Sequence, residues 1–407
     1  MGKFLWGVAT AAHQVEGGNI YNDWYEWEKE GRIKTGDSAI VACDHYNRYK
    51  EDFELIKFLN NNAYRFSVEW SRIEKNEGEF DEKEIEHYVD MLKTLKEMEI
   101  EPVLTLHHFT IPLWLYKKGG FLNENFHNYF ARFVKKVVPY FAPYVKYWIT
   151  INEPVVVGMF GYMMGDWPPG HKNMQEGFSA IRELLLSHLE AYKIIRAEKS
   201  DSLISIAHNM VVFEPLNKFN PLDVIVNNQI RYMFDYAFLD SIFEGKILKP
   251  FGKGEKLQDL KESLDFIGLN YYSRTFVKFS PKTTYEAVNR GELSDFNNEI
   301  YPEGIYRLLV DLKKRYGKSV MITENGVADH LDKWRPQLIK DTIGYMRKAK
   351  EEGVDIIGYM HWSLMDNFEW AEGYSMKFGL FEVDFKTQER KPRQSAFVYK
   401  EIAKSEL

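Results

Sequence analysis

The chain has 407 residues, 45% of them hydrophobic and 28% charged, the composition of a globular protein with ample core. Its net charge of −7 comes without a basic tract, and no run reaches the roughly 18 apolar residues of a membrane span, so nothing points to nucleic acid or to a membrane. A lone cysteine, Cys43, rules out an internal disulfide and reads as a buried packing residue in a reducing compartment, which makes the cytoplasm the expected location.

The first nine residues could pass for a signal peptide, but their apolar stretch is short and His13, Gln14 and Glu16 follow at once, so they read as mature protein. Residues 4–9 form a predicted first strand. A helix over 51–59 stops at Asn60-Asn61-Asn62, and 63–68 alternate as a second strand. Ile85, Val89, Leu92 and Leu95 give 81–98 the stripe of an amphipathic helix. Strand three, 102–106, ends in His107-His108. The helix 126–141 leads into strand four, 148–151, which ends in Asn152-Glu153-Pro154. Pro154 cannot donate to a sheet ladder, so the strand stops there with an acid at its tip.

The second half repeats this grammar. A helix over 178–199 precedes strand five, 203–207, and Asn220-Pro221 opens the next helix. Strand six, 266–269, ends in Asn270-Tyr271-Tyr272, and the polar stretch 280–298 is expected to be an irregular loop. After a helix over 303–316, strand seven, 320–323, ends in Glu324-Asn325-Gly326, where Gly326 is expected to release the chain. A helix over 336–352, closed by Gly353, precedes strand eight, 356–360.

Eight apolar strands alternating with helices imply parallel strands joined by crossovers. With no linker and no repeat, the fold class expected is α/β, a single (β/α)8 barrel domain over residues 1–407. A doubly wound open sheet is the alternative, but no glycine-rich phosphate loop follows strand one. In a barrel all strands end at one face, where active sites lie. That face would gather Gln14, Glu16, Arg65, His107, His108, Asn152, Glu153, Asn270, Tyr272, Glu324 and Trp362. Amides and aromatics at one mouth suit a polyol, and two acids make the site hydrolytic. Each residue alone has a plainer reading. Glu153 could be a salt-bridged loop acid, Arg65 a buried partner for Glu69, and the aromatic 15% of the chain mere core. His107 and His108 lack a third ligand at suitable spacing, so no metal is expected.

Five stretches carry a resemblance: residues 4–17, beginning Phe4-Leu5-Trp6-Gly7; Tyr64-Arg65-Phe66-Ser67-Val68-Glu69-Trp70-Ser71-Arg72-Ile73; Thr150-Ile151-Asn152-Glu153-Pro154; Ile322-Thr323-Glu324-Asn325-Gly326; and Trp362 through Trp370. Together and in order they resemble the signatures of glycoside hydrolase family 1, the retaining β-glucosidases and their relatives. The resemblance implies that Glu324 is the nucleophile and Glu153 the general acid/base. It places Gln14, His108, Asn152, Glu369 and Trp370 on the hydroxyls of the sugar, with Trp362 as the platform under its ring. Tyr272 and Arg65 would flank Glu324, and Asn270 and Phe378 would complete the inner shell. The chemistry asks for such a pair: one acid must protonate the leaving oxygen and one carboxylate must attack the anomeric carbon. Their pKa values must differ, which a cation beside one and dry surroundings for the other would achieve.

The expected substrate is a small β-glycoside or oligosaccharide, with no cofactor, and homo-oligomerisation is left open. The Phe109-Thr110-Ile111-Pro112 segment departs from the Trp-Asp-Leu-Pro that many relatives carry. Intact Glu369-Trp370 argues against a 6-phosphorylated sugar, since Glu369 would repel a phosphate. A β-glucosidase with β-galactosidase or β-fucosidase side activity is expected. The alternatives are a main activity on β-galactosides or β-mannosides, and a non-catalytic sugar-binding member of the fold.

Overall fold

The computed structural model describes residues 3–407; Met1 and Gly2, which begin the leader-like stretch, lie outside the described residues. Nine strands make the main sheet: β1 Leu5–Ala9, β2 Ala63–Ser67, β3 Glu101–His107, β4 Tyr147–Asn152, β5 Leu203–Pro215, β6 Ile267–Ser280, β7 Thr284–Val288, β8 Val320–Asn325 and β9 Ile356–Trp362. All but β7 pair in parallel in the order β8-β9-β1-β2-β3-β4-β5-β6, and β8 also pairs with β6, which closes the ring into a barrel. Consecutive strands are neighbours because each crossover carries a helix that packs back onto the wall.

Two apolar layers hold it together. Inside the barrel, Leu5, Ala63, Val103, Ile149, Ala207 and Met321 fill the bore. Outside, the helices bury their stripes against the wall. In the helix Glu82–Glu97, Asp81 caps the first turn by accepting from Lys83 N at 3.1 Å, and Ile85, Leu92 and Leu95 are fully buried. Each such side chain contributes about 2 kcal/mol by leaving water. Among the described residues no helix is long and apolar enough to cross a membrane.

Several expectations change. The helix expected over 51–59 starts earlier, at His45–Phe58, and the one expected over 178–199 is Met174–Glu198, capped by Asn173. Residues 280–298 are not simply an irregular loop: β6 runs on to Ser280 and turns into β7, which pairs with it antiparallel. Together with the equally extended β5, these strands form a three-stranded blade standing on the barrel rim. Gly326 releases the chain as expected, since β8 ends at Asn325, but it does so without a left-handed φ. It is glycine because a Cβ there would meet the Trp362 carbonyl oxygen at 1.9 Å.

Candidate active site

Glu324 is the last residue but one of β8, inside the mouth of the barrel, with 4% of its surface exposed. Both carboxylate oxygens have donors. Arg65 Nη1 donates to Oε1 at 2.5 Å and Tyr272 OH donates to Oε2 at 2.6 Å. Arg65 comes up from β2 on the facing side of the ring and is itself buried, so its charge is spent within the site. Its other donors reach Thr323 O at 3.0 Å, Asn152 Oδ1 at 2.6 Å and Thr105 Oγ1 at 3.2 Å. The plainer partner, Glu69, instead accepts from Ser71 and Thr110. A guanidinium fixed by four acceptors cannot swing away, which makes the Arg65–Glu324 pair rigid.

Glu153 stands just past the tip of β4, and its backbone is left-handed, with φ 46° and ψ 59°. Pro154 immediately starts the short helix Pro154–Val157, so the strand must become a helix within one residue. A non-glycine residue held in this region costs on the order of 1 kcal/mol, and such strain collects at functional sites. The Glu153 side chain faces amides only: Asn270 Nδ2 donates to Oε1 at 2.8 Å and Asn209 Nδ2 at 2.9 Å. Burial, then the charge of Glu324, push its carboxyl up from 4.5 to about 7. The two acids therefore share one pocket in opposite settings, one salt-bridged and one desolvated among neutral donors. Asn270 and Asn152 tie them together, since Asn270 Nδ2 also reaches Asn152 Oδ1 at 3.2 Å.

The pocket between them has a volume of about 510 Å³ and is lined in part by His108, Asn152, Glu153, Tyr272, Glu324, Trp362, Glu369, Trp370 and Phe378. Trp362 and Trp370 both lie nearly parallel to the His108 ring, at 5.9 and 6.0 Å between centroids. His108 Nε2 meets Asn152 Nδ2 at 3.3 Å, while its Nδ1 has no partner within the protein. Burial holds the His108 imidazole neutral, well below its usual pKa. Glu369 is raised from 4.5 to about 8 by burial and by the charges of Glu324 and Glu153. Phe378 sets its edge against Tyr272 at 6.0 Å.

Gln14, Arg65 and Asn270 stand behind this lining. Gln14 Nε2 donates to Phe368 O at 2.8 Å, Asn367 Oδ1 at 3.0 Å and Glu369 Oε2 at 3.3 Å, and its Oε1 is buried without a partner. Two strand-end residues are not part of the cluster. Glu16 turns to Arg72 at 3.3 Å and Tyr88 OH at 2.7 Å, and His107 packs against Phe121 and Phe130. Burial lowers His107 to about 3, as befits a core imidazole. Asn209 was not foreseen, because it lies two residues past the expected end of strand five; the extension of β5 is what carries it to Glu153. Among the described residues no group of three or more His, Cys, Asp or Glu is disposed to hold a metal ion.

The sequence profile described as Glycosyl hydrolase family 1 matches residues 1–407. The chain is 38% identical to β-glucosidase A of Thermotoga maritima, across 99% of this chain and 97% of that protein. It is also 34% identical to a 6-phospho-β-galactosidase of Clostridium acetobutylicum, across 98% and 96%. A solved family 1 β-glucosidase from Thermotoga maritima superposes with a TM-score of 0.95 at 37% identity, covering 99% of this chain and 97% of that one.

Proposed function

The chain belongs to glycosyl hydrolase family 1, and from that premise we propose that it is a retaining, exo-acting β-glucosidase for unphosphorylated β-D-glucosides, with Glu324 as nucleophile and Glu153 as acid/base. The observation that carries this reading is the opposed setting of the two glutamates. Glu324 is clamped by Arg65 and Tyr272, whereas Glu153 is raised to about 7 and so holds a proton to give.

In the first step Glu324 attacks the anomeric carbon while Glu153 passes its proton to the departing oxygen. The glycosidic bond breaks, an ester forms on Glu324, and the aglycone leaves as an alcohol. The negative charge on Glu324 has then been consumed, which removes the repulsion that helped raise Glu153. Glu153, now ionised, takes a proton from water, whose oxygen opens the ester and returns glucose with its original configuration. Arg65 and Tyr272 hold the carboxylate in line for attack, and each is positioned by contacts within the protein, Arg65 by Thr105, Asn152 and Thr323 and Tyr272 by Phe378.

Sugar recognition falls to the unpartnered atoms. Gln14 Oε1 and His108 Nδ1 are buried without protein partners, and a sugar hydroxyl would satisfy each. Trp362 offers its face to the apolar side of the ring, beside Asn152, Glu369, Trp370 and Phe378. The preference for an unphosphorylated sugar rests less on repulsion by Glu369 than was expected, because Glu369 is raised to about 8 and largely neutral at pH 7. It rests on cations: among the described residues Lys34 is the one lysine or arginine that lines the pocket, and it is engaged by Glu372. A reducing, cytoplasmic setting is proposed on the strength of the single buried thiol.

Proton NMR during turnover of p-nitrophenyl β-D-glucoside tests this reading. The β-anomer of glucose is expected first, and Glu324→Gln is expected to abolish turnover. α-Glucose first, or no hydrolysis of the glucoside, galactoside and mannoside, would overturn it.

A further inference from the structure

Past Glu153 the pocket wall changes character, and on the glycosidase reading above this is where the leaving group must lie. Two elements continue outward from the acid. One is the chain after Pro154, which becomes a π-helical turn over Gly158–Met164 and brings Met159, Phe160 and Met164 to the cavity. The other is the extended part of β5, where the alternation that aims Asn209 at Glu153 also turns Val211 and Phe213 inward. Met233, from a second π-helical turn over Tyr232–Tyr236, faces the same space.

We propose that this wall is an aglycone site for apolar groups, so that the preferred substrates are alkyl or aryl β-glucosides rather than β-linked oligosaccharides. A second sugar would bring hydroxyls that each need a partner once water is displaced. Beside Glu153 the wall answers with methionine, phenylalanine and valine, which outnumber its polar side chains: Ser273, Thr275, Tyr285 and Asn298 on and beside the blade, and Asp166 after the first π-helical turn. Three methionines suit ligands of varied shape, because the thioether chain is unbranched, flexible and polarisable. The blade that completes this wall exists only because β5 and β6 outrun the barrel and β7 adds to them. The aglycone preference is therefore built by the two π-helical turns and the strand extensions together, not by the ring itself.

The test is kcat/KM for methyl, butyl, hexyl and octyl β-D-glucoside below their micellar concentrations, with cellobiose and p-nitrophenyl β-D-glucoside alongside. A fully buried methylene is worth about fourfold in affinity, so a rise of about two- to fourfold per methylene is expected along the alkyl series. Cellobiose should fall below hexyl glucoside. Met159→Asp, which sets a charge in the wall, should flatten the series and cut the octyl-to-methyl ratio at least about fourfold. A flat series in the unmodified enzyme, or cellobiose ahead of octyl glucoside, overturns the proposal while p-nitrophenyl β-D-glucoside is still cleaved. If that chromogenic substrate is itself inert, along with its galactoside and mannoside counterparts, the glycosidase reading falls and this proposal with it.

Discussion

Glu153 combines a strained backbone, a buried carboxyl and a chemical role, and these have opposite consequences for stability and rate. Its folded pKa of about 7 lies above the ordinary 4.5. Between those values the folded protein holds a proton that the unfolded chain has released, so stability declines as pH rises through that window. The penalty is at most about 3 kcal/mol once pH exceeds 7. Glu153→Gln removes the titration and keeps the shape, so it should melt higher than the parent at pH 8, with the advantage fading toward pH 5. On the acid/base role proposed for Glu153, the same substitution should lower kcat on alkyl glucosides by about 10²- to 10⁴-fold, because the leaving oxygen would lose its proton donor. In the parent, kcat/KM should fall above about pH 7 as free Glu153 ionises. Equal melting at both pH values would show that the carboxyl is not destabilised where it sits.

At the scale of the elements, the site is made by how strands end. Glu324 and Gly326 are two residues apart, and the absent Cβ of Gly326 lets the end of β8 lie against the Trp362 carbonyl at the end of β9. Gly326→Ala would insert an atom at 1.9 Å from that oxygen and push the two strand ends apart. We expect a loss of about 2 kcal/mol in urea unfolding and about 10² in kcat/KM, since small displacements of reacting groups are costly. The rate should suffer more than the fold. The eight ring strands were legible because a parallel strand buried on both faces is a short apolar run, and acids at such ends stand out. The blade was not. The residues of β7 from Thr284 to Ala287 are exposed, so an edge strand there carries the polar composition of a loop. The misplaced end of strand five hid Asn209 for a different reason: His208-Asn209 interrupt the apolar run after Ala207, although it resumes at Met210-Val211-Val212-Phe213 and the strand continues with one face buried. The fate of Glu16 and His107 was equally hidden, because the strand-end position alone does not say whether a side chain faces the mouth or the helix layer.

For the whole molecule, the ring separates the residues that support the fold from those that line the mouth. The C-terminal helix Gln394–Ile402 lies outside the wall and seals β1, with Tyr399 OH donating to Gly7 O at 2.7 Å. Its ring packs edge-on against Trp6 at 6.2 Å and lies 5.8 Å from Tyr359 and from His361, all within the layer between barrel and helices. Tyr399→Ala would open a cavity there and leave the Gly7 carbonyl with one partner fewer. A loss of about 3–5 kcal/mol is expected from a buried aromatic truncated to alanine. None of these groups lines the pocket, so kcat of the folded variant should stay within about twofold of the parent while its urea midpoint drops. Tyr399→Phe, which keeps the ring and removes only the hydroxyl, should lose about 1 kcal/mol. A large fall in kcat for Tyr399→Ala at temperatures where it is fully folded would show that the mouth feels the outer layer. In that case the barrel would act as a lever between helix packing and catalysis rather than as a rigid partition.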